Sequence, residues 1–318
     1  MSTTTKAGTA SQAAFRALID YAGVFPPAML AMEPAVDEYL MARDGPHAWM
    51  LGRFIAPASR LDELVTVLRR KDPAEPIAVS AIVDSASDPR RWFGTAQERL
   101  AAVALIRSTV PQLTIEALET RLPGLTTKRD SYDASIGQFA AMAGQAGLRD
   151  VPIYVELPYD ARWHEALPTA MGALARARLG AKLRCGGAEP QSIPSIADVA
   201  AFVATATSED VPYKATAGLH HPIRHLRVED GAVMHGFLNL LAVAAFAPDL
   251  DRSMLEQVLA EEAREAFGFD EGGFTWRDLH VDVEAIARAR TRFVGYGSCS
   301  FSEPIGDLIG LKLLRSNA

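Results

Sequence analysis

The chain has 318 residues, 49% of them hydrophobic and 22% charged, which is enough apolar material for a large core and close to the globular average. A formal net charge of −7 excludes a general basic footprint for nucleic acid or for an anionic membrane. Two cysteines, Cys185 and Cys299, exclude a disulfide framework and fit a reducing compartment.

The N-terminal stretch "MSTTTKAGTASQAAFRALIDYAGVFPP" has only short apolar runs and an internal acid, unlike a signal peptide, and its opening "MSTTTKAGTA" is expected to be disordered. "LIDYAGVFPPAML" reads as a lid across one end of the fold or a plug at its base, with Asp20 and Tyr21 as its polar groups. Strands follow at 48–57 ("AWMLGRFIAP"), 76–85 ("PIAVSAIVDS"), 113–122 ("LTIEALETRL") and 151–158 ("VPIYVELP"). They continue at 179–187 ("LGAKLRCGG"), 211–218 ("VPYKATAG"), weakly at 274–281 ("FTWRDLHV"), and at 292–300 ("RFVGYGSCS").

Helical patterns fill the gaps. "SRLDELVTVLRR" and "SIADVAAFVATA" each show a serine cap ahead of apolar residues at helical spacing. Eight strands alternating with helices predict a single-domain (β/α)8 TIM-type barrel over residues 1–318; an open doubly wound sheet is the other arrangement of the same elements. Residues 226–273 break the repeat, with a turn at "RVEDGA" and two helices, "HGFLNLLAVAAFA" and "SMLEQVLAEEAREAF", expected to form an elaboration over one end of the barrel. The apolar run "GFLNLLAVAAFAPDL" is too short to span a bilayer. A soluble, cytoplasmic protein with no membrane and no nucleic-acid partner is expected, and homo-oligomerisation stays open.

Polar residues near the C-terminal ends of barrel strands read as site. Tyr154 and Glu156 share one parity, as do Lys182 with Arg184 and Lys214 with Thr216, followed by glycines Gly186, Gly187 and Gly218. Three neighbouring strands thus present Glu156, Lys182, Arg184 and Lys214 at one depth. Their positive excess favours a small anionic ligand, with Arg184 as a bidentate clamp; a closed ionic cluster bracing the barrel is the alternative. Crowding by Lys182 and Arg184 is expected to lower the Lys214 pKa and free a neutral amine as nucleophile or base.

Three of the seven histidines follow at once in "LHHPIRH". His220 and His221 are adjacent and, in an extended segment, point to opposite sides, so one of them is expected to face the pocket and move protons with Glu156. "VMHGFLNL" places His235 and Asn239 one turn apart. The leading reading requires no cofactor; in a metal-dependent isomerase or hydrolase, Glu156, His220, His221 and His235 would hold Zn²⁺, Mn²⁺ or Fe²⁺. "YGSCSFSEPIGDL" ends the last strand and starts a helix, with Ser302 as cap, Glu303 and Pro304 in its first turn, and Ser298 and Ser300 near a site for an anion. Cys185 and Cys299 read as packed small residues.

"YKATAG" resembles the strand-borne lysine and Thr-Gly turn of Schiff-base aldolases of the deoxyribose-phosphate aldolase type, which share the barrel fold. That resemblance implies Schiff-base formation at Lys214, tuning by Lys182 and proton shuttling by Glu156. "LIDYAGVFPPA", "AKLRCGG", "KATAGLHHP" and "GSCSFSEP" together resemble a family of bacterial proteins without an assigned reaction. Together these observations lead to an expected enzyme of lyase or isomerase type acting on a small anionic carbonyl or sugar-acid substrate. A metal-dependent enzyme and a non-catalytic anion-binding barrel remain the alternatives.

Overall fold

The computed structural model describes residues 4–84, 88–124, 132–160, 162–187, 189–270 and 272–314. Strand and helix alternate along the chain: α1 (Thr4–Phe15), β1 (Ile19–Tyr21), α2 (Met32–Arg43), β2 (Leu51–Pro57), α3 (Leu61–Lys71), β3 (Ile77–Ile82), α4 (Pro89–Thr109) and β4 (Leu113–Arg121). The same rhythm continues through α5 (Tyr132–Gln145), β5 (Ile153–Glu156), α6 (Trp163–Ala177), β6 (Gly180–Arg184), α7 (Ile196–Ser208) and β7 (Tyr213–Thr216). After β7 come a small hairpin, β8 (His225–Leu226) and β9 (Val233–Met234), then α8 (Phe237–Phe246) and α9 (Arg252–Ala260). An antiparallel sheet of β10 (Phe267–Phe269), β11 (Gly273–Trp276) and β12 (Leu279–Asp282) precedes α10 (Val283–Arg292), β13 (Phe293–Ser298) and α11 (Ser302–Gly310).

Eight parallel strands close into a barrel in the order β1-β13-β7-β6-β5-β4-β3-β2. This is the (β/α)8 architecture, and the open sheet is excluded because β1 pairs with both β13 and β2. The membership differs from the sequence reading at one strand. Residues 274–281 fall in the antiparallel sheet β10–β12, which packs on α1 and α10 rather than entering the barrel. The barrel position goes instead to β1, in the stretch read as lid or plug. Its three residues, all buried, are too few to register as an alternating run.

Local chemistry explains most of the elements. Phe54 of β2 turns outward against Tyr21 and Tyr39, with ring centroids 5.9 and 5.6 Å away, and so leaves Arg53 and Ile55 to the opposite face. Helix α7 carries the expected serine cap: Ser195 Oγ accepts from the Asp198 backbone N–H, and Asp198 accepts from the Ser195 N–H. The serine cap expected ahead of α3 is absent, since Ser59 sits in a 3-10 turn and its own N–H donates to Asp84.

The region after β7 is also differently disposed from its expectation. All ten residues of α8 are buried, and the helix lies against β13, α7, α9 and α10 as the outer-layer partner of β7, not as a cover over an end. The second helix, α9, stops at Ala260, short of the expected end. Helix α1 begins at Thr4, within the opening stretch that sequence alone left without structure. No helix of the described residues is long and apolar enough to cross a membrane.

Candidate active site

Register places the charged side chains at one level. Glu156 pairs laterally with Lys182, and Lys182 with Lys214, across β5, β6 and β7. Paired residues in neighbouring parallel strands project to the same face, which is the expected parity.

The cluster that results is larger than those residues. Lys214, 1% exposed, donates to Asp20 of β1 and to Glu119 Oε1 of β4 at 2.5 Å. Glu119 also accepts from Ser80 Oγ of β3 at 2.6 Å, and its other oxygen, Oε2, lies 2.9 Å from Lys182 Nζ. Lys182 is 3.5 Å from Glu156 Oε2. Glu156 Oε1 in turn accepts from Arg184 Nε at 3.0 Å and faces Arg121 Nε at 3.6 Å. Acid and base thus alternate across the barrel interior as Asp20, Lys214, Glu119, Lys182, Glu156 and Arg184.

This alternation corrects two expectations. The interior has no positive excess, because Asp20 and Glu119 match the cations that sequence placed there. The Lys214 pKa is also not lowered. Burial alone would depress it, but the adjacent Asp20 and Glu119 carboxylates outweigh burial and hold it above the ordinary lysine value. Burial opposes ionisation of Glu119 as well, yet Lys182 and Lys214 keep its carboxyl well below the usual range. Glu156 is likewise held low against burial by Lys182 and Arg184. An unpaired ion in such a place would cost several kcal/mol, so the network stands or falls as a unit.

A positive excess does appear at the C-terminal mouth, where Arg184 and Arg121 share one oxygen of Glu156, Oε1. The Arg184 side chain is 38% exposed and Arg121 57%, so both can reach a ligand from solvent.

The "TAG" segment forms the rim. Ala217 and Gly218 are both left-handed, with φ of 61° and 72°. A Cβ on Gly218 would meet Met234 Cε at 2.6 Å and Gly186 Cα at 3.1 Å, so Gly186 and Gly218 are there to let the ends of β6 and β7 approach. Gly187 is similarly closed off by Ser192. Close packing accounts for these three glycines, the ones that follow β6 and β7 in the sequence. Thr216 is half-buried at the end of β7, facing Arg184 in register.

Both histidines of the adjacent pair face the same neighbour. His220 Nδ1 lies 3.1 Å from Glu303 Oε2, and His221 Nδ1 lies 2.6 Å from Asp307 Oδ2, two acids one turn apart on α11. The alternation expected of an extended segment does not apply, because β7 ends at Thr216 and the left-handed turn intervenes. His225 bonds the Ile223 carbonyl and packs edge-on against His221. His235 is buried with Nε2 at 2.8 Å from the Pro194 carbonyl. His235 precedes α8, so the expected one-turn pairing with Asn239 does not form; Asn239 is fully buried, accepts from the Arg224 N–H and donates to the Val258 and Glu261 carbonyls.

The four residues of the metal alternative therefore have four separate sets of partners. Among the described residues no group of three or more His, Cys, Asp or Glu side chains is assembled for an ion. On α11 the helix-starting residue is Ser302, but it is Ser300 Oγ that accepts from the Glu303 N–H, which corrects the expected cap. Ser298 is buried, and its hydroxyl accepts from the Ser300 N–H at 3.4 Å. Burial pushes the Cys185 thiol up to about 12 and raises that of Cys299, which lies 4.0 Å from His220 Nδ1, so both are protonated packing groups.

Asp20, Ser80, Glu119 and Arg121 complete the site. Asp20 stood out in the sequence only as a polar residue in an unplaced segment. Glu119 and Arg121 share a parity at the end of "LTIEALETRL", the same signal that marked Glu156 and Lys182 on later strands. No family model and no curated protein matches this chain.

Proposed function

We propose that the barrel is an enzyme of lyase or isomerase type that acts on a small anionic carbonyl or sugar-acid substrate, with Lys214 as the nucleophile or base. The observation that supports this most is the Lys214 ammonium held between two carboxylates and linked through Glu119 to a second lysine. This barrel architecture is one that enzymes commonly use, though it hosts many chemistries.

In this reading the resting lysine is charged and must release a proton before attack. Glu119 Oε1, 2.5 Å away, and Asp20 are placed to take it. Attack of the freed amine on a carbonyl carbon forms a carbinolamine, and its hydroxyl leaves as water with the proton that the carboxylate had taken, which leaves an iminium beside two ionised carboxylates. The iminium restores a positive charge where the ammonium was, so the same two carboxylates stabilise it without rearrangement. Arg184 and Arg121 would hold the substrate's anionic group at the mouth, with Lys182 tuning Lys214 through their common partner Glu119.

The test is borohydride reduction in the presence of small 2-oxo acids and aldehydes, followed by peptide mass mapping. A reduced adduct on Lys214 supports the reading. Absence of any adduct across the panel, with turnover found for one of its members, rules out the nucleophile role.

The complete acid–base alternation favours a second reading, a structural brace in a barrel that binds a small anion without turnover. There the same panel yields no adduct, and the anion binds in a manner dependent on Arg184 and Arg121.

A further inference from the structure

A cavity of about 440 Å³ opens at the other end of the barrel. Its walls come from Ala17 just before β1, from the starts of β2 and β3, and from Val294 at the start of β13, which fixes it to the N-terminal end of the strands. It is therefore separate from the mouth carrying Arg184 and Arg121.

Its polar lining is unbalanced. Arg43, Arg53 and Arg290 line it with one carboxylate, Glu116, while Arg43 is engaged by the Glu75 carbonyl and by Asp44. Arg53 Nε approaches Glu116 at 3.3 Å without an aligned hydrogen bond, and Arg53 Nη1 is 3.9 Å from Asp20 Oδ2. Arg290 donates to the carbonyls of Phe293, Arg16 and Val294, has no ion-pair partner among the described residues, and keeps a buried Nε with no acceptor. Burial lowers the Arg290 pKa to about 10, so the group stays charged at neutral pH.

Tyr154 adds a second, independent indication. It lines the cavity at 5% exposure, and its hydroxyl has no hydrogen-bond partner among the described residues. Tyr39, the other phenol in the lining, is by contrast satisfied by the Gly52 carbonyl at 2.9 Å. The hydroxyl opens into the cavity, whose wall also carries the buried Arg53 and Arg290 Nε groups that have no acceptor among the described residues.

We infer that this N-terminal cavity is a binding site for a small oxyanion, a carboxylate or a phosphate, with Arg53 and Tyr154 as its donors. The site lies behind the lysine: Tyr154 presents its ring to Lys214 Nζ, 5.8 Å from the centroid, while the Arg53 backbone N–H donates to Asp20 Oδ1 at 2.6 Å and its guanidinium Nη1 lies 3.9 Å from Asp20 Oδ2. A bound anion would draw on the same guanidinium that faces Asp20, so occupancy at one end is felt by the ion pair at the centre.

Isothermal titration of the whole protein with sodium phosphate, and separately with sodium acetate, tests the site without reference to any reaction at Lys214. Saturable binding of one or both is expected. Tyr154→Phe removes only an unpartnered hydroxyl and should leave the melting temperature unchanged while weakening binding about tenfold, the size of one charge-assisted hydrogen bond. Arg53→Gln should weaken it further. No saturable heat with either anion, or equal affinity in Tyr154→Phe, would overturn the assignment.

Discussion

Lys214 Nζ and Glu119 Oε1 lie 2.5 Å apart, although 95 positions separate the two residues in the chain. The other oxygen of the same carboxylate is held by Lys182. One glutamate thus pairs with two lysines, and the response of the protein to substitution follows from that sharing.

Lys214→Met strands Asp20 and Glu119 without their common cation in the barrel interior. The expected loss is about 3–5 kcal/mol of unfolding free energy, the range seen when one partner of a buried pair is removed. Lys214→Arg keeps the charge and should lose markedly less. Urea denaturation of both variants checks this; a Met variant as stable as the parent would show that the pair contributes nothing net.

Stability should depend on pH at two limbs. Glu119 and Glu156 have pKa values below the usual 4.5, so their contribution is complete above that value and is lost as pH falls through their folded values. Lys214 lies above the usual 10.5, so its contribution is complete below that and fades only at still higher pH. Melting temperatures across the range should show a plateau between these limits, with an acid limb that Lys182→Met makes shallower by removing a cause of the low Glu119 and Glu156 values.

If Lys214 forms adducts, their rate should rise with pH into the alkaline range, because the reactive form is the neutral amine. Glu119→Gln removes one of the carboxylates that hold the proton, so the rise should move to lower pH. A rise displaced upward in that variant would count against Glu119 as the group that raises the lysine.

Gly218→Ala should cost about 1–3 kcal/mol, since its backbone is left-handed and the added methyl meets Met234 and Gly186. Thermal unfolding measures it directly. A neutral effect would mean that β6 and β7 can part at their ends without penalty.

Asn239→Ala breaks three hydrogen bonds that tie the start of α8 to the 223–224 turn and to the end of α9. A loss of about 2–4 kcal/mol is expected from the carbonyls and the N–H left unpaired. Adduct formation at Lys214, where it occurs, should survive, which separates this residue from the site.

The barrel was legible because strand and helix patterns alternate for most of the chain, and because period-two parity identifies inward residues wherever a strand is long enough to show it. Lys182, Lys214 and Glu156 were found that way. Glu119 carries the same signal in β4 but was masked by the run of alternating acids and apolar residues around it. Asp20 was illegible for a different reason: a three-residue strand has no periodicity, and only its pairing with β13 and β2 reveals what it is. The lysine pKa went the wrong way on sequence for the same cause, since the two carboxylates that raise it were the two not placed. Histidine directions failed where a left-handed turn replaced the strand that the alternation rule needs.

Closure of the barrel through β1 has a consequence for how the protein comes into being. Asp20 reaches Lys214 across 194 positions, and it is held there by a strand whose other edge is β13, formed near the far end of the described chain. A ribosome-bound chain that has emitted β1 through β7 therefore carries the lysine and Glu119 but no completed seam to fix Asp20, the second counter-ion. The seam between β1 and β13 and the Asp20–Lys214 pair therefore depend on the same late-made strand.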